Sequence, residues 1–462
     1  MDIEKKYQEA LDFLYQFVDY SMMRSFAYSP ERFNLDRMEL LMEKLGSPHR
    51  KYPVVHVAGT KGKGSVSALC ASALQAAGYS TGFYTSPHLQ EFSERIQVNG
   101  KTIPQEEVVR LVDDLKLVIP QIQTPSWFEL TTAMAFMYFA QCQVDVAVIE
   151  VGLGGRLDST NVVHPVVSVI TSISYDHMAI LGNTLAEIAS EKGGIIKNGR
   201  PVVTAPQKDE ARQVIEKIAG ERGAALYQVG KDYYFTPQSH TLEEQSFWVW
   251  PAKDQALASD YFSSNGAKGT PPLSLTIPLL GQHQVENATT AYAALQVLNQ
   301  EGFNVPELAI QQGFAKVVWP GRFEILSKQP FLVIDSAHNR DSAKRLRQAM
   351  EDYFPGCGVI LVFGASEDKD IDGMFTELFS SVKQAIMTQS THPRAANVEK
   401  LAGMAAKFNK PIKNIPQIED ALVYALEQVE EKDVILVTGS LFVAAAARAV
   451  WPEIRLRLTK ET

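Results

Sequence analysis

Apolar positions recur at three- and four-residue spacing over two stretches near the N-terminus, Tyr7, Leu11, Leu14, Phe17 and then Leu35, Met38, Leu41, Met42, Leu45. This spacing predicts packed helices within residues 2–45. Gly46, Pro48 and Pro53 then punctuate the chain. The apolar run Val54–Ala58 predicts a buried strand, followed at once by glycines 59, 62 and 64. Ser65 opens S-V-S-A-L-C-A-S-A-L-Q-A-A, whose small and apolar residues suit a helix packed on a sheet. Gly78 reads as its stop.

Further strands are expected near Thr81–Thr85, Val144–Val151, Val166–Ser172 and Pro201–Ala205, with a hairpin at Asn99-Gly100. Helices are expected from Pro104 to about Ile119 and over roughly Phe128–Cys142. Alternating strand and helix predict a doubly wound, mostly parallel α/β sheet. Residues 231–280 lose this rhythm, and only L-S-L-T-I-P-L at 273–279 reads as a clear strand, so a small β-rich appendage is expected. A helix returns from about Val285 to Asn299, and V-V-W-P-G-R at 317–322 reads as a domain joint. Strands at Phe331–Asp335, Gly358–Phe363, Gln384–Thr388 and Asp433–Thr438 predict a second, smaller α/β domain. The expected division is 1–317 and 318–462.

A length of 462 residues agrees with more than one domain. The net charge of −9 argues against a dedicated nucleic-acid or anionic-membrane binder. No run approaches a spanning helix of about 18 apolar residues. Three well-separated cysteines, Cys70, Cys142 and Cys357, form neither a metal spacing nor a disulfide framework. A cytoplasmic protein, monomeric and free of nucleic-acid or membrane partners, is the expectation.

The candidate chemistry begins at the strand–glycine turn–helix of Val54–Ser65, a geometry that wraps N–H groups around phosphate. Lys63 offers a charge for the outer phosphates and Ser65 a hydroxyl for magnesium, although the strict P-loop spacing is not met. The competing reading is a glycine-rich turn that binds nothing. Glu150 ends the strand D-V-A-V-I-E, where a carboxylate can hold magnesium; a cap or a salt bridge to Arg156 is the alternative. Asp158 follows in a glycine-rich turn, and Asp176-His177 closes the next strand. His177 reads as a metal ligand or as an ordinary loop histidine. Thr184 and Glu187 form a capping box, which puts Lys192 at a helix C-terminus, where dipole compensation is its bland role. Asn287 lies on a helix after G-Q-H-Q, and Arg322 in the joint. Asp335 could hold a ribose hydroxyl and His338 a phosphate; the alternative is a strand-to-helix turn capped by Asn339.

Together the ordered segments A-G-T-K-G-K-G-S, S-P-H-L with E-R-I, F-E-L-T-T-A-M-A-F, E-V-G-L-G-G-R-L-D-S-T-N, I-T-S-I-S-Y-D-H, E-K-G-G-I, G-Q-H-Q-V-E-N-A, W-P-G-R-F-E, D-S-A-H-N and T-G-S-L-F resemble the folylpolyglutamate synthase/dihydrofolate synthase family of the Mur ligase superfamily. The match spans nearly the whole chain. It implies a Mur-type central ATP-binding domain, a Mur-type C-terminal domain, and ATP and Mg2+ as cofactors. It implies ATP binding by Gly59, Thr60, Lys61, Gly62, Lys63, Gly64, Ser65, Asn287, Arg322, Asp335 and His338. It implies a metal site at Ser65, Glu150, His177 and Lys192, with Lys192 carbamylated and Lys63, His177 and Lys192 catalytic. Phe128 and Asp158 match positions near the pterin pocket, and His392, Arg394 and Ser440 are candidates for the glutamate site. Lys61 stands where many members have Asn, Ser336 where Gly is usual, Gly193 where Ala is usual and Arg340 where Pro is common.

The implied reaction joins L-glutamate to a reduced folate or dihydropteroate. The γ-phosphoryl group of ATP converts the carboxylate to an acyl phosphate, which the glutamate amine attacks. Magnesium, Lys63 and loop N–H groups offset the repulsion between carboxylate and triphosphate. Two other readings compete: a Mur-type amino-acid ligase with different substrate pockets, and a non-catalytic nucleotide-binding switch.

Overall fold

The computed structural model describes residues 2–19 and 34–461. The helical pattern of residues 2–45 appears as helices Ile3–Leu14 and Asp36–Lys44, and its part over 20–33 lies outside the described residues.

Strands β1 (Val54–Ala58), β2 (Thr81–Tyr84), β3 (Ile96–Val98), β4 (Lys101–Thr102), β5 (Val146–Glu150), β6 (Val167–Ile170), β7 (Val202–Thr204) and β8 (Leu226–Gln228) form one sheet, ordered β4-β3-β2-β5-β1-β6-β7-β8. The run from β2 to β8 is parallel, while β3 and β4 add an antiparallel edge through the Asn99-Gly100 turn. Alternate residues point to opposite faces. Val55, Val57, Val146 and Val148 join one core, whereas Val54, Ala147 and Ile149 join the other. Helix Lys63–Ala76 covers the first face and helix Trp127–Gln141 the second, which makes the sheet doubly wound.

The small residues of helix Lys63–Ala76 have a packing reason. A Cβ on Gly313 would lie 2.5 Å from Ala73 Cα, and the Ser72 hydroxyl donates to Gly313 O at 2.6 Å. Backbones thus nearly touch where helix Glu307–Ala315 crosses it. Periodicity did not single out that second helix.

Residues 231–280 hold more structure than their pattern predicts. Strands β9 (Tyr233–His240), β10 (Gln245–Pro251) and β11 (Leu273–Ile277) form an antiparallel sheet with β10 in the middle, and helix Gln255–Ser263 packs beside it. Strand β10 buries Phe247 and Val249, while Trp248, facing away, meets Tyr261 and Phe262 of the helix. With apolar groups on both faces the alternation disappears from the sequence. Pro237 sits in β9, an edge strand, where its missing N–H is tolerated. The appendage shares its core with helix Lys63–Ala76.

The remaining strands β12 (Glu324–Lys328), β13 (Phe331–Ile334), β14 (Gly358–Phe363), β15 (Val382–Met387), β16 (Ile412–Asn414) and β17 (Asp433–Thr438) make a third sheet, ordered β12-β13-β17-β14-β15-β16. The sequence pattern does not mark the edge strands β12 and β16: β12 is half-buried up to its exposed last residue, Lys328, and β16 has three residues. Only β12 runs antiparallel. Helices Arg340–Tyr353, Ile371–Leu378 and Val398–Ala405 cover one face, and Ile418–Gln428 and Leu441–Glu461 the other. We call the first two sheets with their helices the N-terminal body and the third sheet the C-terminal body. In the joint between them, Val317 and Trp319 pack into the N-terminal core, whereas Gly321 O already accepts from Ser336 N at 3.1 Å and Ser336 Oγ at 2.8 Å.

Candidate active site

The carboxyl ends of β1, β5 and β6 face those of β13 and β14, and hydrogen bonds cross between the two bodies there. Such ends are where open α/β sheets bind ligands. After β1 the chain turns through Gly59–Gly62 into helix Lys63–Ala76, two residues ahead of the expected start. Thr60 and Lys61 donate their N–H groups to Ser172 O at 2.9 and 3.1 Å, and the Thr60 hydroxyl donates to Ser174 O at 3.1 Å. Those two N–H groups therefore anchor the loop to the end of β6 instead of pointing into the turn. Val66 N–H is the first to bond within the helix, to Gly62 O, which leaves the N–H groups of the Gly62–Ser65 turn as those able to face an anion. Ser65 is buried in that turn.

Two glycines here are required by close approach. Gly62 has φ +88°, and a Cβ on it would sit 2.1 Å from Asn287 Oδ1; a Cβ on Gly64 would sit 2.4 Å from Trp319. Asn287 is buried and donates to Gln284 Oε1 at 2.9 Å, so G-Q-H-Q orients the amide beside the loop. Gly62→Ala combines a left-handed conformation, costing roughly 1–2 kcal/mol, with displacement of Asn287. We expect at least tenfold weaker nucleotide binding by calorimetry in a protein of near-normal melting temperature. Unchanged affinity would remove this turn from the nucleotide site.

Glu150 is buried at the end of β5, where its Oε2 accepts from the Thr85 hydroxyl and from Ser86 N at 3.4 Å. Burial raises its pKa, and Lys63, Thr85 and Arg322 oppose that rise. Arg156, the alternative partner, pairs instead with Glu191 at 2.8 Å. Lys192 lies in the last turn of helix Leu185–Gly193 and is only 4% exposed. Burial, then the charge of Lys63, pushes its amine down to about 7. A cation that only complemented a helix dipole would sit in solvent at its usual pKa. Gly155 lets the glycine-rich loop close over this helix end, since a Cβ there would lie 2.8 Å from Glu191 O and 3.0 Å from Lys192 O. His177 precedes helix Met178–Leu181 with its side chain 39% exposed, and burial of the remainder lowers its pKa.

From the C-terminal body, Asp335 accepts from Phe323 N at 2.8 Å and Ala337 N at 2.7 Å, and burial raises its pKa against the pull of Arg322. Arg322 is half-buried and influences both Asp335 and Glu150. His338 places Nδ1 2.9 Å from Ser336 O, an acceptor, so Nδ1 carries the proton and Nε2 accepts from Lys61 Nζ at 2.9 Å. Burial, then Lys61, pushes this imidazole down to about 4, in agreement with a neutral ring. Asn339 caps helix Arg340–Tyr353 through Ser342 N at 3.0 Å.

Sequence reasoning left two residues of this cleft unassigned. Asp176 takes Lys61 Nζ at 2.9 Å and Lys369 Nζ at 3.0 Å. Burial opposes its charge, but the Lys61 ammonium holds its carboxyl well below the usual range. Asp176 lies in the loop beyond β6 and Glu150 ends β5, and a carboxylate at that edge of the sheet is a signal that could have singled it out. Lys369 lies in the loop after β14 and carried no comparable signal.

The remaining candidates lie further apart in role. Phe128 packs under the glycine-rich loop, where a Cβ on Gly152 would be 2.4 Å from its ring. Asp158 is buried and accepts from Leu153 N at 2.8 Å, Thr160 N at 3.0 Å and Thr160 Oγ1 at 2.5 Å, so its carboxylate organises that loop. The His56 ring in β1 lies 2.9 Å from the Thr160 hydroxyl and extends this network. His392 stacks on Phe442 with ring centroids 4.0 Å apart, and Arg394 Nη1 lies 3.5 Å from Asp368 Oδ2. Ser440 Oγ accepts from Val443 N at 3.1 Å and caps the last helix.

Among the described residues no cluster of three His, Cys, Asp or Glu side chains forms a ready-made metal cage. Magnesium commonly takes one or two carboxylates and completes its shell with water and substrate phosphates. A single buried carboxylate, Glu150, beside a helix N-terminal turn able to take phosphate fits that habit.

Residues 57–295 match the Mur ligase middle domain and residues 321–441 the Mur ligase glutamate ligase domain. The chain is 37% identical over 437 residues to the dihydrofolate synthase/folylpolyglutamate synthase of Bacillus subtilis (strain 168), covering 92% of this chain and 97% of that protein. The Mycobacterium tuberculosis folylpolyglutamate synthase complexed with ADP superposes with a TM-score of 0.86 at 31% identity, over 97% of this chain and 99% of that one. Escherichia coli FolC in complex with DHPP and ADP gives 0.83 at 31% identity, over 97% and 98%.

Proposed function

The chain belongs to the folylpolyglutamate synthase/dihydrofolate synthase family of the Mur ligase superfamily, ATP-dependent ligases of L-glutamate to folate, and we propose that its own reaction runs through an acyl phosphate formed between its two sheet bodies. The observation that carries this reading is the facing of Lys63, Ser65 and Glu150 by Arg322, Asp335 and His338 across one cleft, bridged by the Lys61–His338 bond. The turn Gly62–Ser65 would take the triphosphate, with Lys63 on the outer phosphates and Asn287 beside the loop. Arg322, Asp335 and His338 would hold the nucleotide from the opposite side.

Ser65, Glu150, His177 and a carbamylated Lys192 would hold magnesium, which when bound neutralises charge on the transferring phosphoryl group. Phe128 and the Asp158-organised loop would shape the acceptor pocket. The acceptor carboxylate attacks the γ-phosphorus and ADP leaves. The glutamate amine then attacks the acyl carbon, expels phosphate and loses a proton. Enclosure between the bodies keeps water from the acyl phosphate and brings the amine to it. His392, Arg394 and Ser440 line the C-terminal body where the amino acid would enter. Dihydropteroate and reduced folates both fit this chemistry, and a monomer acting in the cytoplasm completes the proposal.

The deciding assay is phosphate release that requires an acceptor and L-glutamate together. Release with a peptidoglycan precursor in place of folate would favour a Mur-type cell-wall ligase, and nucleotide binding without any release would favour the switch. Division near residues 317–318 gives a second test. Because Trp319 packs into the N-terminal core, the fragment is best cut after residue 320. A fragment 1–320 is expected to fold, by circular dichroism, and to show no ligation, since Asp335 and His338 are gone. Full-rate ligation by this fragment would show that the C-terminal body is dispensable.

A further inference from the structure

We propose that Asp176 is a positioning residue that closes the two bodies over the active site by sitting between cations delivered from each. This rests on the ligase reading above, to which it adds a residue. The carboxylate belongs to the N-terminal body and its side chain is 7% exposed. Its Oδ2 lies 2.9 Å from Lys61 Nζ of the phosphate loop, 3.2 Å from Asn339 Nδ2 and 3.4 Å from His338 Nε2. Its Oδ1 lies 3.0 Å from Lys369 Nζ. Asn339, His338 and Lys369 all come from the C-terminal body, from the loops after β13 and β14.

The charge pattern explains why one carboxylate can decide closure. Lys61 and Lys369 approach from opposite bodies, and their side chains are 14% and 12% exposed. Alone they would repel each other in a poorly hydrated cleft, where such repulsion is strong. Asp176 between them converts a repelling pair into an attractive row. Lys61 also donates to His338 Nε2, so the same contact fixes the imidazole of the D-S-A-H-N turn over the phosphate loop. Removing one member of such a buried set leaves its partners uncompensated while the cleft is closed, and opening returns them to water, so the loss falls on closure and not on the folding of either body.

The test uses full-length Asp176→Asn, which keeps shape and hydrogen bonding but not charge. Small-angle scattering without substrates is expected to show a larger radius of gyration than the wild type. Steady-state kinetics are expected to show KM for ATP raised at least tenfold, with little change in melting temperature. Adding Lys369→Met to Asp176→Asn removes the repelled cation and is expected to recover part of the loss. Residues that merely pack a loop would give losses that multiply. Lys369→Met alone, which leaves Asp176 paired with Lys61, is expected to raise KM severalfold and serves if Asp176→Asn does not fold. A compact Asp176→Asn protein, or multiplying losses in the double variant, would overturn the proposal. Absence of glutamate-dependent phosphate release in the wild type would instead defeat the ligase reading, while scattering would still test Asp176.

Discussion

Lys192→Ala is expected to fold normally, to lose ligation at least 100-fold, and to regain part of it in acetate or formate. The magnitude is that of one transition-state charge contact. The side chain is almost wholly buried and its amine is held near 7 by burial and by Lys63. Much of it is therefore neutral at physiological pH and able to react. In the proposed carbamylation its nitrogen would attack carbon dioxide, forming an N–C bond, and the displaced proton would pass to solvent. The resulting carbamate would be an anion with two oxygens of the kind magnesium prefers. Small carboxylates can fill the space left by alanine, which is the basis of the rescue. Lys192→Arg is expected to stay inactive, because guanidinium keeps its charge. The pH dependence follows in sign. Without bicarbonate the native amine, near 7, binds fewer protons than the unfolded one, near 10.5, between those values. Its burial thus costs stability fully below pH 7, and the cost fades as pH rises towards 10.5. Bicarbonate is expected to raise the melting temperature of the wild type and to leave Lys192→Ala unchanged. A bare ammonium in active, magnesium-loaded enzyme would refute the carbamate.

Glu150→Gln is expected to reduce turnover about 100- to 1000-fold with no loss of stability. The amide oxygen can still accept from the Thr85 hydroxyl and Ser86 N, so the loop after β2 keeps its anchor. Burial already disfavours the charged carboxylate, so neutralising it does not penalise folding. What is lost is the only buried carboxylate among the four proposed metal-site residues. The deficit is expected to deepen at limiting magnesium and to shrink as magnesium rises. Near-normal turnover at limiting magnesium would count against Glu150 as a ligand. Asp335 offers a contrast, because both its oxygens accept backbone N–H groups, from Phe323 and Ala337, whereas Thr85 and Ser86 both go to Glu150 Oε2.

What the sequence determined by itself was whatever short-range chemistry encodes. The run Val54–Ala58, its glycines and the small-residue helix lie within 23 consecutive positions, Val54 to Ala76, and each follows from local conformational preference and one-sided burial. The Asn99-Gly100 hairpin and the Thr184–Glu187 capping box are equally local. Strand β10 was hidden because helix Gln255–Ser263 covers its outer face and removes the polar alternation. The tertiary structure alone decided which charges meet. Asp176 finds Lys61 across 115 residues and Lys369 across 193, and no periodicity connects them. It also decided that Lys192 is buried at a helix end, where Gly155 lets the glycine-rich loop approach the helix backbone. Burial and opposing charge are sums over neighbours from the whole fold, so the reactive state of a lysine emerges only when those neighbours are in place.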